Sequence, residues 1–188
     1  FTVSENAAKL VDVGTAFDRI AGRVTDAKAA LIEIERAAGG VVDRMTLMQE
    51  ATRAAVAGLD VTKFDELVTV TRGLASVMGR DMIESLRRMT EGIAKQETEL
   101  LDEFGLVVHL KDALAEYGRA NDRNVESLSA AERQQIFFNA VLEAGQRKVA
   151  AMGGVIDQAQ SPFLKFRSAI GDLTTEFGGF LNRVLDID

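Results

Sequence analysis

The chain has 188 residues, 47% of them hydrophobic and 27% charged, which is enough apolar material for one folded domain and argues against disorder. Its formal net charge of −7 argues against a nucleic-acid surface, because neutralising phosphates needs an excess of Lys and Arg on some face. The lack of cysteine excludes disulfides and thiol chemistry, and with a single proline and no tryptophan the chain has few helix breakers, so an all-α fold is expected.

The chain opens at Phe1 with neither an initiator Met nor a signal-peptide pattern, and we expect it to be an internal segment of a longer chain. No run approaches the roughly 18 to 20 apolar residues that span a bilayer. From Leu10 onward, apolar residues recur in alternating steps of three and four: Leu10, Val13, Phe17, Ile20, Val24, Ala27, Leu31 and Ile34. A seven-residue repeat keeps one seam of a helix toward a partner, so residues 1–38 are expected to form one coiled-coil-like helix with a self-association seam. The flanking positions are mostly small (Ala16, Ala21, Ala30, Ala37) and specify a partner only weakly. Gly39-Gly40 should end this helix.

Residues 41–152 read as a compact helical domain, a bundle of short helices with connections too short for independent units. The spacing predicts a helix from Val42 to Ala57, through Val42, Met45, Met48 and Ala55, stopping at Gly58. A second should begin at Thr62, with Asp65 completing a capping box, and turn Phe64, Leu67, Val68, Leu74, Val77 and Met78 inward before Gly79. A third should run from Asp81 to about Gly92 on Met82, Ile83, Leu86 and Met89. Another closes at Phe104-Gly105, followed by an apolar link from Leu106 to His109 and a helix on Leu110, Ala113, Leu114 and Tyr117. Arg119 to Ser127 is polar and is expected to be a loop. Ser129 and Glu132 make a capping box for a helix that carries Ile136, Phe137, Ala140, Val141 and Ala144 inward and continues to Met152.

The run Phe104-Gly105-Leu106, the stretch from Ala113 to Tyr117, Leu128-Ser129 with Glu132, Arg133 and Gln135, and then Asn139-Ala140-Val141-Leu142 resembles, in order and spacing, a helical region of phage tail length tape-measure proteins. The resemblance extends from about Val42 to Leu185, and it departs in the loop, where that family often has a Gly-Lys step and this chain has Ala120-Asn121-Asp122-Arg123. It implies a structural, non-enzymatic component of a virion tail, several copies of whose parent chain lie in the tube lumen, with a trimer favoured. It also implies tail-tube, tail-tip and assembly-chaperone partners, a passage through the host cytoplasm during assembly, no cofactor, no direct contact with nucleic acid, and a late membrane contact by the parent chain. In such a protein, residue count sets tube length.

Gly153-Gly154 gives a second joint, and Ser161 with Pro162 then opens the last helix, residues 159–188. Its seam, Phe163, Phe166, Ile170, Leu173, Phe177, Phe180, Val184 and Ile187, is made entirely of large side chains and is the stronger of the two heptad patterns. A buried seam in a bundle is favoured over a membrane-surface helix, because Lys165, Arg167 and Arg183 share the polar face with Asp172 and Glu176.

Chemistry is sparse. His109 is the single histidine, has no second histidine or cysteine to complete a metal set, and is read as structural. Glu97, Glu99, Asp102 and Glu103 lack the glycine turn and alternating oxygen donors of a calcium loop and are read as a solvated face. No serine sits in a nucleophile elbow, and the glycine pairs have no phosphate-loop lysine. A stand-alone chaperone or adaptor is the competing reading.

Overall fold

The computed structural model describes residues 3–22 and 25–153, with side chains from Asp12 onward. Among the described residues the fold is all-α: α1 (Val3–Ala21), α2 (Ala27–Ala38), α3 (Arg44–Val56), α4 (Phe64–Met78), α5 (Met82–Lys95), α6 (Thr98–Asp102), α7 (Leu110–Asn121) and α8 (Ala130–Ala151), with 3-10 turns at Val61–Lys63 and Val125–Ser127.

Aspartates start three of these helices. A short carboxylate just before the first turn accepts from backbone N–H groups that have no intrahelical partner. Asp26 accepts from the N–H of Lys28 and Ala29 at 3.0 and 3.1 Å, Asp43 from Thr46 at 3.0 Å, and Asp81 from Glu84 at 2.8 Å. The Asp26 cap corrects the expected long N-terminal helix. Backbone already closed at Ala21 restarts at Ala27, so the heptad run from Leu10 to Ile34 is divided between α1 and α2. The capping box expected at Thr62 is likewise replaced: Asp60 caps the 3-10 turn, accepting from Thr62 N at 2.9 Å and from its hydroxyl at 2.7 Å, and α4 follows with no side-chain cap of its own.

α4 is the hub. It packs against α2, α5 and α8, and α1 packs against α3. Phe64, Leu67, Val68, Val70, Leu74 and Ala75 are buried around it, and the buried Thr71 hydroxyl donates to Leu67 O at 2.7 Å and contacts Met89 Sδ at 3.2 Å. α8 lies parallel to α4 at close range. A Cβ on Gly73 would sit 2.8 Å from Val149, and a Cβ on Gly145 would run into Val70, so only glycine allows the two backbones this approach. The register is extended by Lys63 Nζ donating to Asn139 Oδ1 at 3.0 Å.

Four further expectations are revised. Gly92 does not end α5; it is buried within the helix, a Cβ there would lie 3.1 Å from Leu100 and Leu101, and the chain turns instead at Gln96 in a left-handed conformation. The polar stretch from Arg119 is helical to Asn121, turns at Asp122, and forms a 3-10 turn before Leu128. Val77 and Met78, expected inside, are exposed. Residues 1–38 also do not stand apart: Phe17, Ala21, Leu31, Ile34, Ala37 and Ala38 belong to the same core as α3, α4, α5 and α8.

A second, smaller apolar cluster lies beside that core, built from Ala113 and Leu114 of α7, Leu128, and Ile136 of α8.

Candidate functional site

The densest polar constellation is built on α5. Consecutive residues on a helix point about 100° apart, so Arg87 and Arg88 reach different neighbours. Arg87 crosses to α3, where its Nε donates to Glu50 Oε1 at 2.8 Å, and Arg53 Nη1 donates to the same carboxylate at 3.0 Å. Glu50 is only 2% exposed, and a carboxylate so buried requires paired donors. It occupies the apolar stripe of α3 with Leu47, Ala51 and Ala54, an acid among buried positions at helical spacing. The bond to Glu50 raises the Arg87 guanidinium further above its ordinary value.

Arg88 reaches the turn after α6. Its Nε donates to Glu103 Oε2 at 2.9 Å, its Nη2 meets the other carboxylate oxygen, and Arg80 approaches the same group at 3.4 Å. This is a two-pronged guanidinium–carboxylate pairing with a second arginine attached. The hydrogen bond from Arg88 holds the Glu103 carboxyl below its ordinary range against the opposing effect of burial. The Arg80 guanidinium also lies 5.2 Å from the centre of the Phe104 ring. Around these groups is an open cleft of about 470 Å³, lined by Arg80, Asp81, Glu84, Ser85, Arg88 and Glu103. Chemically the arrangement ties α5 to α3 and to the α6 turn; an incoming anion would have to displace Glu103 from both arginines.

The residues singled out from sequence are placed elsewhere. In the first seam, Phe17, Leu31 and Ile34 are buried in the main core, Val13 and Ala27 pack partly buried against it, and Ile20 is half-buried. The side chain of Leu10, all of Val24, and the second seam from Phe163 to Val184 and Ile187 lie outside the described residues. The tape-measure-like motif residues support the fold. Phe104 and Leu106 are core side chains, Gly105 is left-handed at φ 68°, and Leu128 belongs to the smaller cluster. Ser129 and Glu132 form the capping box, with Ser129 N donating to Glu132 Oε2 at 2.8 Å and Glu132 N to Ser129 Oγ at 3.2 Å. Gln135 Nε2 donates to Asn139 Oδ1 at 3.2 Å. His109 is exposed at the start of α7, and Glu103 of the acidic group is engaged by Arg80 and Arg88. Among the described residues there is no group of three or more His, Asp or Glu placed to hold a metal ion.

Sequence reading missed the α5 arginine pair and Glu50. An acid on the i, i+3, i+4, i+7 stripe of α3 was the available signal.

No protein-family model matches the chain, and no solved structure matches it at a significant level.

Proposed function

We propose that this chain is a folded helical segment of a phage-type tail tape-measure protein, used for tail assembly, tip attachment or genome delivery and acting by protein contact rather than catalysis. The observation that carries the reading is the ordered run from Phe104-Gly105-Leu106 through Leu128-Ser129 and Glu132 to Asn139-Ala140-Val141-Leu142. A ruler converts residue count to distance at about 1.5 Å per residue only while the chain stays extended as helix. The longest described helix, α8, has 22 residues, and its neighbours fold back on one another, so this segment serves the tail as a folded body. Its partners on this reading are the tail tube, the tail tip and an assembly chaperone, in the host cytoplasm and then in the virion tail. Phe17, Leu31 and Ile34 are covered by this chain's own helices, so a trimer of the parent chain would use surfaces other than that seam.

The test is an in-frame deletion of residues 27–152 from the parent gene, read by electron microscopy and mass spectrometry of purified particles. The expected result is that the chain is found in wild-type particles and that the deletion impairs assembly or delivery. The deletion should not give the shortening of about 190 Å that 126 residues of continuous helix would produce. Particles lacking the chain altogether would overturn the proposal and favour the competing reading, a free-standing helical chaperone or adaptor. That alternative is favoured by one observation, the enclosure of the first seam within a single chain's core.

A further inference from the structure

The cleft beside α5 holds an acceptor set that its own ion pairs leave unused. Asp81, Glu84, Ser85 and Arg88 fall at i, i+3, i+4 and i+7, so they share the face of α5 that lines the cleft, and Arg80 and Glu103 complete the lining. Glu103 engages both guanidiniums. Asp81 uses one oxygen to accept from the N–H of Glu84 at 2.8 Å. Among the described residues, its other oxygen, the Glu84 carboxylate and the Ser85 hydroxyl make no hydrogen bond or ion pair. Asp81 and Glu84 are exposed at the rim, where water solvates them. Ser85 is different: it is only 2% exposed, and the surface it keeps opens into the cleft. A hydroxyl taken that far out of bulk water normally has a partner, and here the cleft is where one would come from.

The charge of the lining selects the sign of the ligand. Three carboxylates against two guanidiniums leave one negative charge uncompensated. An anion would add to that surplus and would have to break the two-pronged Arg88–Glu103 pairing, whereas a cation sits beside Glu84 and leaves the pairing intact. The start of α5 carries a partial positive charge of about 0.5, which Asp81 and Glu84 together outweigh. Among the described residues no three His, Asp or Glu are placed to share a metal ion, which leaves a monovalent cation with several donors. We propose that the α5 cleft binds a primary ammonium group, the ε-ammonium of a lysine presented by a partner protein, with the Glu84 carboxylate, the second oxygen of Asp81 and the Ser85 hydroxyl accepting its three N–H bonds. An ammonium is a compact three-donor charge on a flexible stem, while a planar guanidinium needs a fork of acceptors. At about 470 Å³ the cleft exceeds what one ammonium fills and leaves room for the alkyl stem and the backbone that carries it. The inference is independent of the tail-protein reading and holds equally for a free-standing module.

The test titrates the full chain, labelled with 15N, with the capped tripeptide acetyl-Gly-Lys-Gly-amide at low salt and follows backbone amide shifts. Saturable shifts at residues 80–88 and 103–106 are expected, with a Kd of about 1 to 10 mM, the strength of a single solvent-reached charged contact. The same peptide with norleucine for lysine keeps the stem, loses the charge and should give none, and the arginine peptide should bind about threefold more weakly or worse. Ser85→Ala removes one buried hydroxyl and should weaken binding about tenfold. Glu84→Gln should weaken it about fivefold, while Glu91→Gln, equally exposed on the same helix but outside the cleft, should leave it unchanged. Unsaturable shifts, equal binding of the norleucine peptide, or wild-type affinity in either the Ser85 or the Glu84 variant would overturn the proposal. Putrescine separates the two sources of an ammonium: binding about tenfold tighter than the lysine peptide, worth more than its second charge supplies, would assign the cleft to a free amine and overturn the partner lysine.

Discussion

The main core and the α7 lobe are held by different means. In the core, Phe17, Phe64, Phe104, Phe137 and Phe138 from three helices and the α6 turn are almost wholly out of water. Ion pairs such as Arg87–Glu50 sit at its edge. In the lobe only Ala113, Leu114, Leu128 and Ile136 are buried, and each keeps some exposure. Polar bonding compensates there. Arg133 donates to the carbonyls of Leu128, Val125 and Glu126 at 3.1 to 3.4 Å, which fastens the 3-10 turn to α8, while the Ser129–Glu132 box secures the helix start. Apolar burial gives cooperative unfolding, whereas a lobe resting on a few exposed hydrogen bonds opens locally at lower cost. The two regions are joined by α8, which serves both.

Adjacent residues of α8 make the sharpest test of that difference, since Phe137 faces the core and Ile136 the lobe. Phe137→Ala should cost about 3 to 5 kcal/mol and lower the urea midpoint of the whole domain, because it leaves a cavity among close-packed neighbours. Ile136→Ala should cost about 2 kcal/mol, near the lower end for such truncations, since Ile136 is not fully enclosed. Hydrogen exchange separates them further. The Ile136 variant should exchange faster in α7 while α4 keeps its protection, and the Phe137 variant should lose protection in α4 as well. Equal loss across α4 and α7 in both variants would mean that lobe and core are one cooperative unit.

The same division marks what could be read from sequence. Apolar spacing located α3, α4, α5 and α8, and the pair Ser129 and Glu132 fixed one helix start to the residue, because local rules and packing agree there. The N-terminal helix was drawn too long because the heptad run continues across Asp26. Periodicity alone does not register a cap, although Asp before an Ala-rich stretch was a visible start signal. Gly92 looked like a stop, yet its use is to let Leu100 and Leu101 approach α5, a tertiary contact that no local pattern encodes. The α5 ion pairs were missed for a related reason. Glu50 is 37 residues from Arg87 and Glu103 is 15 from Arg88, and each pair meets only after α3, α5 and the α6 turn have packed.

If polar bonding carries the lobe, removing its cap should be felt there first. Ser129→Ala deletes the acceptor for Glu132 N and should cost about 1 kcal/mol. Amide exchange should rise at residues 129–134 and in α7, with little change in α3 or α4. A variant whose α7 exchanges as slowly as wild type would show that the small apolar cluster suffices without the cap.

The smallest effects come from the carboxylates of Glu103 and Glu132, and they separate the regions by salt rather than by size. Glu103 is held below its ordinary pKa by Arg88, and Glu132 by the backbone N–H and hydroxyl of Ser129, helped by Arg123. A carboxylate whose pKa is depressed by folding contributes its stability in full above the unfolded value of about 4.3, and loses it as pH falls through the lower folded value. Glu103→Gln and Glu132→Gln should therefore each lower Tm at pH 7 and converge on wild type as the pH drops below about 4. The Glu103 effect arises between half-buried ionic groups that still reach solvent and should shrink when salt rises from about 0.05 to about 0.5 M, because the Debye length falls below ~5 Å. The Glu132 effect rests first on a short bond to backbone and should persist. Equal salt sensitivity in the two variants would mean that Arg123, 3.6 Å from Glu132, matters as much to the lobe as Arg88 does to the α5 cleft.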